Sequence, residues 1–564
     1  MHVNAREREG ERAEPPTGGA WLETAALLAI WGVTIAALSP RGDFPLHDDW
    51  DFAVATFRFA RTGHFHFTAF TAVSLRAMVL WGAAWVRLFG ESFEVLRLST
   101  LTASAATIAV LHRTLRHAGV ARFGRLLAPM ALLANPIFLW ASCTYMTDVP
   151  FVFVSAIAFL LLLRALQEAR LDFFAGGNLA IVVASFIRQN GVVPLAALLV
   201  LLLWFRVRLT ERWRAFAAIA VATLLLFSAL LLFKRDWISG SPEMFALHYQ
   251  MWGETTFRLP EQIAVIVHYT IFNAINCSIF FLPLVLPLVV SARVPSSRAR
   301  AIGVAAIAAL VVWRVADLAT SGFLVPYTSR AQFSDILPGA VFFDLGIGTP
   351  NLFDTFNLGY SYPFAMPHAL RLGLTTIAAI GAIVLLCRLG GVVIEEAAGE
   401  KLDRPLLLAV AWAAAGTAAL FASGYYYDRY SLDSAWTVAI AAALLVPWTQ
   451  RASRGVAIVA VAGLLLFSTL AVQEYFRWNR ARWTAFDSLR HAGTAVTEID
   501  GGAEAQAYYE LANASRKEAH RPHLPRRYAI TFHPLPRFHI VRTYPFRGFL
   551  GAHRGSIYLL QRDE

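Results

Sequence analysis

The sequence predicts an all-α polytopic membrane protein of about thirteen transmembrane helices, followed by a small C-terminal extracytoplasmic α+β domain. Three observations carry this. The chain is 57% hydrophobic and only 15% charged over 564 residues, with a mean hydropathy of +0.52, whereas soluble chains carry about 25% charge. Apolar runs recur from residue 21 to residue 472, and backbone inside lipid is helical because it must satisfy its own hydrogen bonds. Basic residues gather in alternate inter-run loops, the pattern of a topology with positive loops inside.

The elements follow in order. Residues 1–20, with Arg6, Arg8 and Arg12, read as a cytoplasmic tail. The run behind it is too long for a signal-peptide core and lacks a small-residue cleavage site, so no cleavable signal is expected. A bilayer core about 30 Å thick needs roughly 20 helical residues. The runs that approach this length are Trp21–Leu38, Phe93–Leu115, Leu126–Ala141, Val149–Leu163, Phe173–Ile187, Gly191–Phe205, Ala215–Phe233, Ile263–Val290, Ala301–Leu318, Leu372–Cys387, Leu406–Ala422, Leu432–Trp448 and Gly455–Val472. Together they make residues 21–472 the membrane domain.

Inside loops hold Arg113, Arg116, Arg122 and Arg125, then Arg164 and Arg170, then Arg206, Arg208, Arg212 and Arg214. Arg293, Arg298 and Arg300 follow, then Arg388, Lys401 and Arg404, then Arg451 and Arg454. An odd number of spans places residues 473–564 outside, together with the long loops 39–92, 234–262 and 319–371. Loops that long are usually functional, so the working face is expected to be outward on a cytoplasmic membrane. The tail alternates short runs such as Tyr528–Phe532 and Ser556–Leu560 with Pro522, Pro525, Pro534, Pro536 and Pro545, a strand-and-turn composition. Asn513-Ala-Ser is read as a chance glycosylation triplet.

The formal net charge of +11 resides largely in the inter-span loops, which assigns it to membrane topology rather than to a nucleic-acid partner. Cys143, Cys277 and Cys387 all lie in apolar segments and make neither a disulfide framework nor a metal motif.

Acidic residues beside spans are costly and call for a cavity or an interface. After the first run comes Leu46-His47-Asp48-Asp49-Trp50-Asp51, continuing as an amphipathic stretch through Arg58 and Arg61. Adjacent carboxylates repel, so one holds its proton to higher pH or finds a cation; the alternative is a helix N-cap. Thr147-Asp148-Val149-Pro150 places a lone Asp before the fourth run, again a site residue or a cap. Tyr425-Tyr426-Tyr427-Asp428-Arg429-Tyr430 sets an arginine among tyrosines, suited to a phosphate because guanidinium matches its oxygens bidentately, or else an interfacial aromatic belt. Arg188-Gln189-Asn190 offers a second cation on the same face. Arg314 and Asp317, three apart, read as a structural pair.

The pieces His47-Asp48-Asp49-Trp50, Met146-Thr147-Asp148-Val149-Pro150, Arg188-Gln189 and Tyr427-Asp428-Arg429-Tyr430, in this order and on one side, resemble the GT-C glycosyltransferases. Within them the chain is similar to the bacterial relatives of protein O-mannosyltransferases and lipid A aminoarabinose transferases of family 39. The resemblance covers most of the membrane part. It implies a GT-C-like fold and inverting transfer of a sugar from a polyprenyl-phosphate donor to an extracytoplasmic lipid, glycan or protein acceptor. It also implies Asp48 as the first-loop catalytic carboxylate with Asp49 as its neighbour, and Asp148 as the second acidic residue. Arg429 and Arg188 stand as cations near the donor phosphate, with His47, Gln189 and Tyr427 among the substrate-binding residues. Many relatives carry a Lys-Pro-Pro segment before an F-G step that matches Phe89-Gly90; this chain has Ser74-Leu75-Arg76-Ala77, so the phosphate-binding role there is vacant or falls to Arg76. A divalent cation is the one cofactor left open.

Three other readings compete, one of them a non-catalytic membrane scaffold, which fits the tail but not the acidic residues of the first and second outer loops. A transporter or flippase predicts paired repeats and ionisable residues near the midplane, and no repeat of fixed period is visible. A polymerase or ligase of lipid-linked glycans differs only in lacking the D-D-W and T-D-V-P pieces.

Overall fold

In a computed structural model the described residues are 19–234, 240–241, 259–292, 297–320, 324, 341–343, 346–360, 362–363, 366–398, 402–423, 427–512, 526–548 and 554–563. Arg6, Arg8, Arg12, Arg293, Lys401, Tyr425, Tyr426, Asn513, Pro522 and Pro525 lie outside them, as do parts of the 234–262 and 319–371 loops.

Every apolar run of the sequence is helical, though not every one is by itself long enough to be counted as a span. Among the described residues eight helices are long and apolar enough to cross a membrane, or up to ten if each bent pair is one span. Two runs that read as single spans are broken, and the breaks have local causes. Arg122–Ala134 and Pro136–Ser142 meet at 68°. Pro136 has no N–H to continue the ladder, and the Asn135 side chain caps the second piece by accepting from the Ile137 and Phe138 amides at 2.9 and 3.2 Å. Tyr269–Phe280 and Leu282–Val290 meet at 98°, with Pro283 in the first turn of the second piece. The Leu432–Leu445 helix has only 14 residues and the Leu171–Ser185 helix 15.

One buried carboxylate ties the first helices of the bundle together. Glu23, buried in the first helix, receives Arg125 Nε at 2.9 Å, Arg122 Nε at 3.0 Å and His112 Nε2 at 3.0 Å. These contacts tie Ala20–Leu38 to Phe93–His117 and Arg122–Ala134. Arg314 and Asp317 also pair.

The helix Arg451–His491 runs 41 residues without a break, about 60 Å at 1.5 Å per residue. That is twice the bilayer core, so it passes the expected boundary at Val472 and carries a four-stranded sheet beyond the bundle. The sheet order is β3 (Ile499–Asp500), β4 (Tyr528–Thr531), β6 (Arg554–Arg562), β5 (Phe538–Arg547). β3 pairs parallel to β4 and the other pairs are antiparallel. A small hairpin, β1 (Phe342–Phe343) with β2 (Gly346–Ile347), lies against the long helix, where Gly348 faces the Tyr475 ring.

One glycine positions the site described next. A Cβ on Gly191 would meet the backbone of Ala184 and Ser185 at 2.6 to 2.9 Å, so only glycine lets the 3-10 turn Gln189–Val192 fold back onto the preceding helix. Gly191→Ala is expected to lower stability by about 1–3 kcal/mol through overpacking, read as a lower midpoint in thermal unfolding of the detergent-solubilised protein; an unchanged midpoint refutes the close approach.

Candidate active site at the mouth of the bundle

The first segment of the site is a turn. The Leu46 N–H donates to Asp49 Oδ1 at 2.6 Å and the Tyr145 N–H to Asp49 Oδ2 at 3.3 Å, so Asp49 holds the start of the helix Asp49–Thr62 in place. His47 has φ 56°, a left-handed conformation uncommon for a side chain of this size. Its Nδ1 lies 2.7 Å from the Asp48 backbone nitrogen and 3.1 Å from Asp48 Oδ2. The turn directs Asp48 away from Asp49.

Asp48 Oδ2 accepts from Arg429 Nη2 at 2.9 Å across 381 residues of sequence. Arg429 is held from several sides. Its guanidinium lies 5.4 Å from the Tyr427 ring and 5.5 Å from the Tyr430 ring, and Nη1 is 3.9 Å from the Met146 sulfur. Its segment is anchored by Asp428, whose carboxylate accepts from the Val341, Phe342 and Arg429 amides at 2.9, 2.7 and 2.8 Å.

Tyr430 connects this pair to a second one, because its ring also faces Arg188 at 5.0 Å. Arg188 Nη1 donates to Asp148 Oδ1 at 2.9 Å and to Asp433 Oδ1 at 3.2 Å; Asn190 Nδ2 donates to Asp433 Oδ2 at 2.5 Å. Asp148 makes no side-chain cap of its helix Asp148–Glu168, so capping does not account for it. Two atoms of the network are buried without a partner, Asp148 Oδ2 and Arg429 Nε. Buried polar atoms are nearly always satisfied, so these two atoms leave one acceptor and one donor of the cluster open to water or to a polar ligand.

Exposure distinguishes the two acids of the first loop. The Asp48 side chain is 49% accessible, whereas Asp49 is fully buried. Burial alone would raise the Asp48 carboxyl, but His47 and then Arg429 outweigh it and hold the group well below the usual carboxylate range. Burial pushes the Asp49 carboxyl up to about 7 against the pull of Arg97 and two amides. Asp51 is likewise pushed up by burial to about 6, against the Thr68 and Thr71 hydroxyls that donate to it. The three carboxylates are thus separated mainly by their surroundings, Asp48 held down by its charged neighbours and Asp49 and Asp51 raised by burial.

Of the residues singled out in sequence, Asp48, His47, Arg429 and Tyr427 meet directly, and Asp148 and Arg188 join them through Tyr430. Three stand elsewhere. Asp49 is occupied by backbone amides. Gln189 binds the Ala72 carbonyl and the Ser74 amide at 2.8 and 3.3 Å, a brace for the first loop. Arg76 lies over the Phe65 and Phe67 rings at 5.4 and 5.1 Å. Asp48 and Arg429 touch directly, so a sugar cannot lie between them until the pair opens. No group of three or more His, Cys, Asp or Glu among the described residues is placed to hold a metal ion.

Two contributors were not singled out. Asp433 had a visible signal, since an acid in the apolar run Leu432–Trp448 is costly unless it serves a site. Glu504 had none. It reaches from the C-terminal region to accept from the His47 amide and Asn351 Nδ2, each at 3.1 Å, and from Arg482 Nη2 at 2.7 Å.

Fold and site together define a multi-pass helical membrane protein with a carboxylate–guanidinium network at one mouth of its bundle. No family model matches the chain, and no curated protein does. Among solved structures the chain is similar to ArnT from Cupriavidus metallidurans bound to undecaprenyl phosphate, at 14% identity over 96% of this chain and 98% of that chain with a TM-score of 0.40. It is similar also to ArnT from the same organism in the apo state, at 14% identity over 95% and 97% with a TM-score of 0.39.

Removing one partner of a buried ion pair leaves the other charge unpaired, at about 3–5 kcal/mol. Glu504→Ala is therefore expected to destabilise the protein by that amount, and Glu504→Gln by less because the amide oxygen still accepts from His47. Chemical unfolding in detergent checks the order; equal midpoints for wild type and Glu504→Ala refute the anchoring role.

Proposed function

We propose that this protein is a membrane glycosyltransferase that moves a sugar from a polyprenyl-phosphate donor to an acceptor on the extracytoplasmic side of a cytoplasmic membrane, with inversion at the anomeric carbon. The observation that carries the reading is the Asp48–Arg429 contact at 2.9 Å beside two unpartnered buried atoms, Arg429 Nε and Asp148 Oδ2. A transferase of this kind needs a base, a cation for the departing phosphate and a polar grip on the sugar, and the cluster has one candidate for each. The resemblance of its four motifs to GT-C glycosyltransferases adds the substrate class.

The free pair sets the order of events. Arg429 neutralises Asp48 and keeps it a weak base. When the donor phosphate binds, its oxygens compete for the guanidinium, and Nε with Nη2 presents the edge suited to bidentate recognition. Asp48 is then released beside a new negative charge, its proton affinity rises, and it becomes a competent base. The acceptor hydroxyl loses its proton to Asp48 as its oxygen bonds to the anomeric carbon, and the bond from that carbon to the phosphate oxygen breaks with its electron pair leaving on the polyprenyl phosphate. Arg429 stabilises that charge from a preset position. Asp148 Oδ2 accepts from a sugar hydroxyl, with Arg188 and Asp433 holding it in place.

Asp48→Asn is expected to reduce transfer by about 10²–10⁴-fold while binding of radiolabelled undecaprenyl phosphate persists; near-normal turnover removes the base. Arg429→Ala is expected to weaken that binding more than Asp148→Asn does, and equal affinities undo the division of roles.

The pH profile tests the release step. The folded, ligand-free Asp48 titrates below the usual carboxylate range, so kcat/KM, which reports the free enzyme, keeps its value down to acid pH. The acid limb of kcat, which reports the bound enzyme, is expected at higher pH. Coincident limbs refute release of Asp48 by the donor.

A further inference from the structure

Away from the cluster, the hairpin of β5 and β6 places Arg547 directly opposite Arg554, both exposed. Like charges facing each other across strands are destabilising. Arg477 of the long helix brings a third basic side chain to this end of the hairpin, its Nη1 donating to the Arg547 carbonyl oxygen at 3.5 Å. Among the described residues none of the three is paired with a carboxylate, and residues 548–553 contain no Asp or Glu. Glu474, the nearest acid along the helix, is buried against the Tyr362 hydroxyl.

The hairpin also has a definite level. Tyr544 Oη is 3.0 Å from Ser488 Oγ, and three residues on, Arg547 meets Arg477, so β5 descends along the helix toward its apolar part. That part ends near Val472, where Gln473 Nε2 donates to the Ala37 carbonyl at 2.9 Å, one residue before the end of the first helix. Arg477 lies five residues further, about 7.5 Å. A bilayer is about 40–45 Å thick around a 30 Å core, leaving about 5–8 Å of headgroup on each side.

We propose that Arg477, Arg547 and Arg554 form a docking surface for the phosphate of an anionic phospholipid headgroup, in the leaflet on the side of the C-terminal sheet. The lipid phosphate supplies the anion that the described residues do not and relieves the repulsion across the hairpin. The surface is independent of the proposed transfer reaction, and its test uses no sugar substrate.

The full-length protein is reconstituted in nanodiscs of phosphatidylcholine mixed with phosphatidylglycerol, and the lipid retained on release is read by native mass spectrometry. Phosphatidylglycerol is expected to be enriched over its bulk fraction, and each of Arg477→Gln, Arg547→Gln and Arg554→Gln to lower the enrichment by about fivefold, the worth of one basic residue at an anionic surface. Arg542→Gln, further up β5 with its guanidinium over the Tyr544 ring, is expected to leave it unchanged. No enrichment by the wild-type protein overturns the proposal even if a variant fails to fold. Equal loss in Arg542→Gln overturns it in favour of diffuse charge, and displacement of the lipid by millimolar inorganic phosphate overturns it in favour of a free-anion site.

Discussion

The contact between Asp48 and Arg429 is the constraint around which the mouth of the bundle is organised. A guanidinium with 8% of its side chain accessible is expensive to remove from water, and only an opposite charge with good geometry offsets that cost. Asp48 supplies the charge, while Tyr427 and Tyr430 supply ring faces that suit a weakly hydrated cation. The second arginine is treated in the same way by Asp148, Asp433 and Tyr430. Because the two arginines share one ring, whatever binds one alters the surroundings of the other.

Much of the remaining polar interior exists to aim that contact. The turn at His47 is sterically unfavourable by itself and is held by bonds from outside it: Asp49 to the Leu46 and Tyr145 amides, and Glu504 to the His47 amide. Glu504 lies 457 residues away in the chain and is fixed by Arg482 on the long helix. The unbroken run of that helix past Val472 is what makes this possible, since it carries the C-terminal region back over the first loop. The terminal region is therefore part of the site's construction. Asp428 does similar work on the other side, using three backbone amides to hold the segment that presents Arg429.

The broken helices serve the same end. Asn135 and Pro136 turn the chain by 68°, so the short piece Pro136–Ser142 delivers Met146, Thr147 and Asp148 to the mouth after only a few residues. A straight helix of the same apolar composition would continue through the membrane. Hydropathy reads both alike, which is why Leu126–Ala141 and Ile263–Val290 were expected as single spans.

The sequence alone determined the membrane class, the helical identity of every apolar run, the strand-like runs at Tyr528–Phe532 and Ser556–Leu560 and the residue types of the site, because composition, run length and the cost of acids beside lipid are local properties. It also pointed to Asp48, Asp148, Arg188 and Arg429 as members of one cluster. Only the tertiary structure decided that Asp48 rather than Asp49 faces the arginine, that Gln189 and Arg76 brace loops, and that Asp433 and Glu504 complete the network. Those outcomes turn on one left-handed residue and on contacts between segments hundreds of positions apart. A pairing energy depends on distance in space, and nothing in the order of residues along a chain encodes that distance.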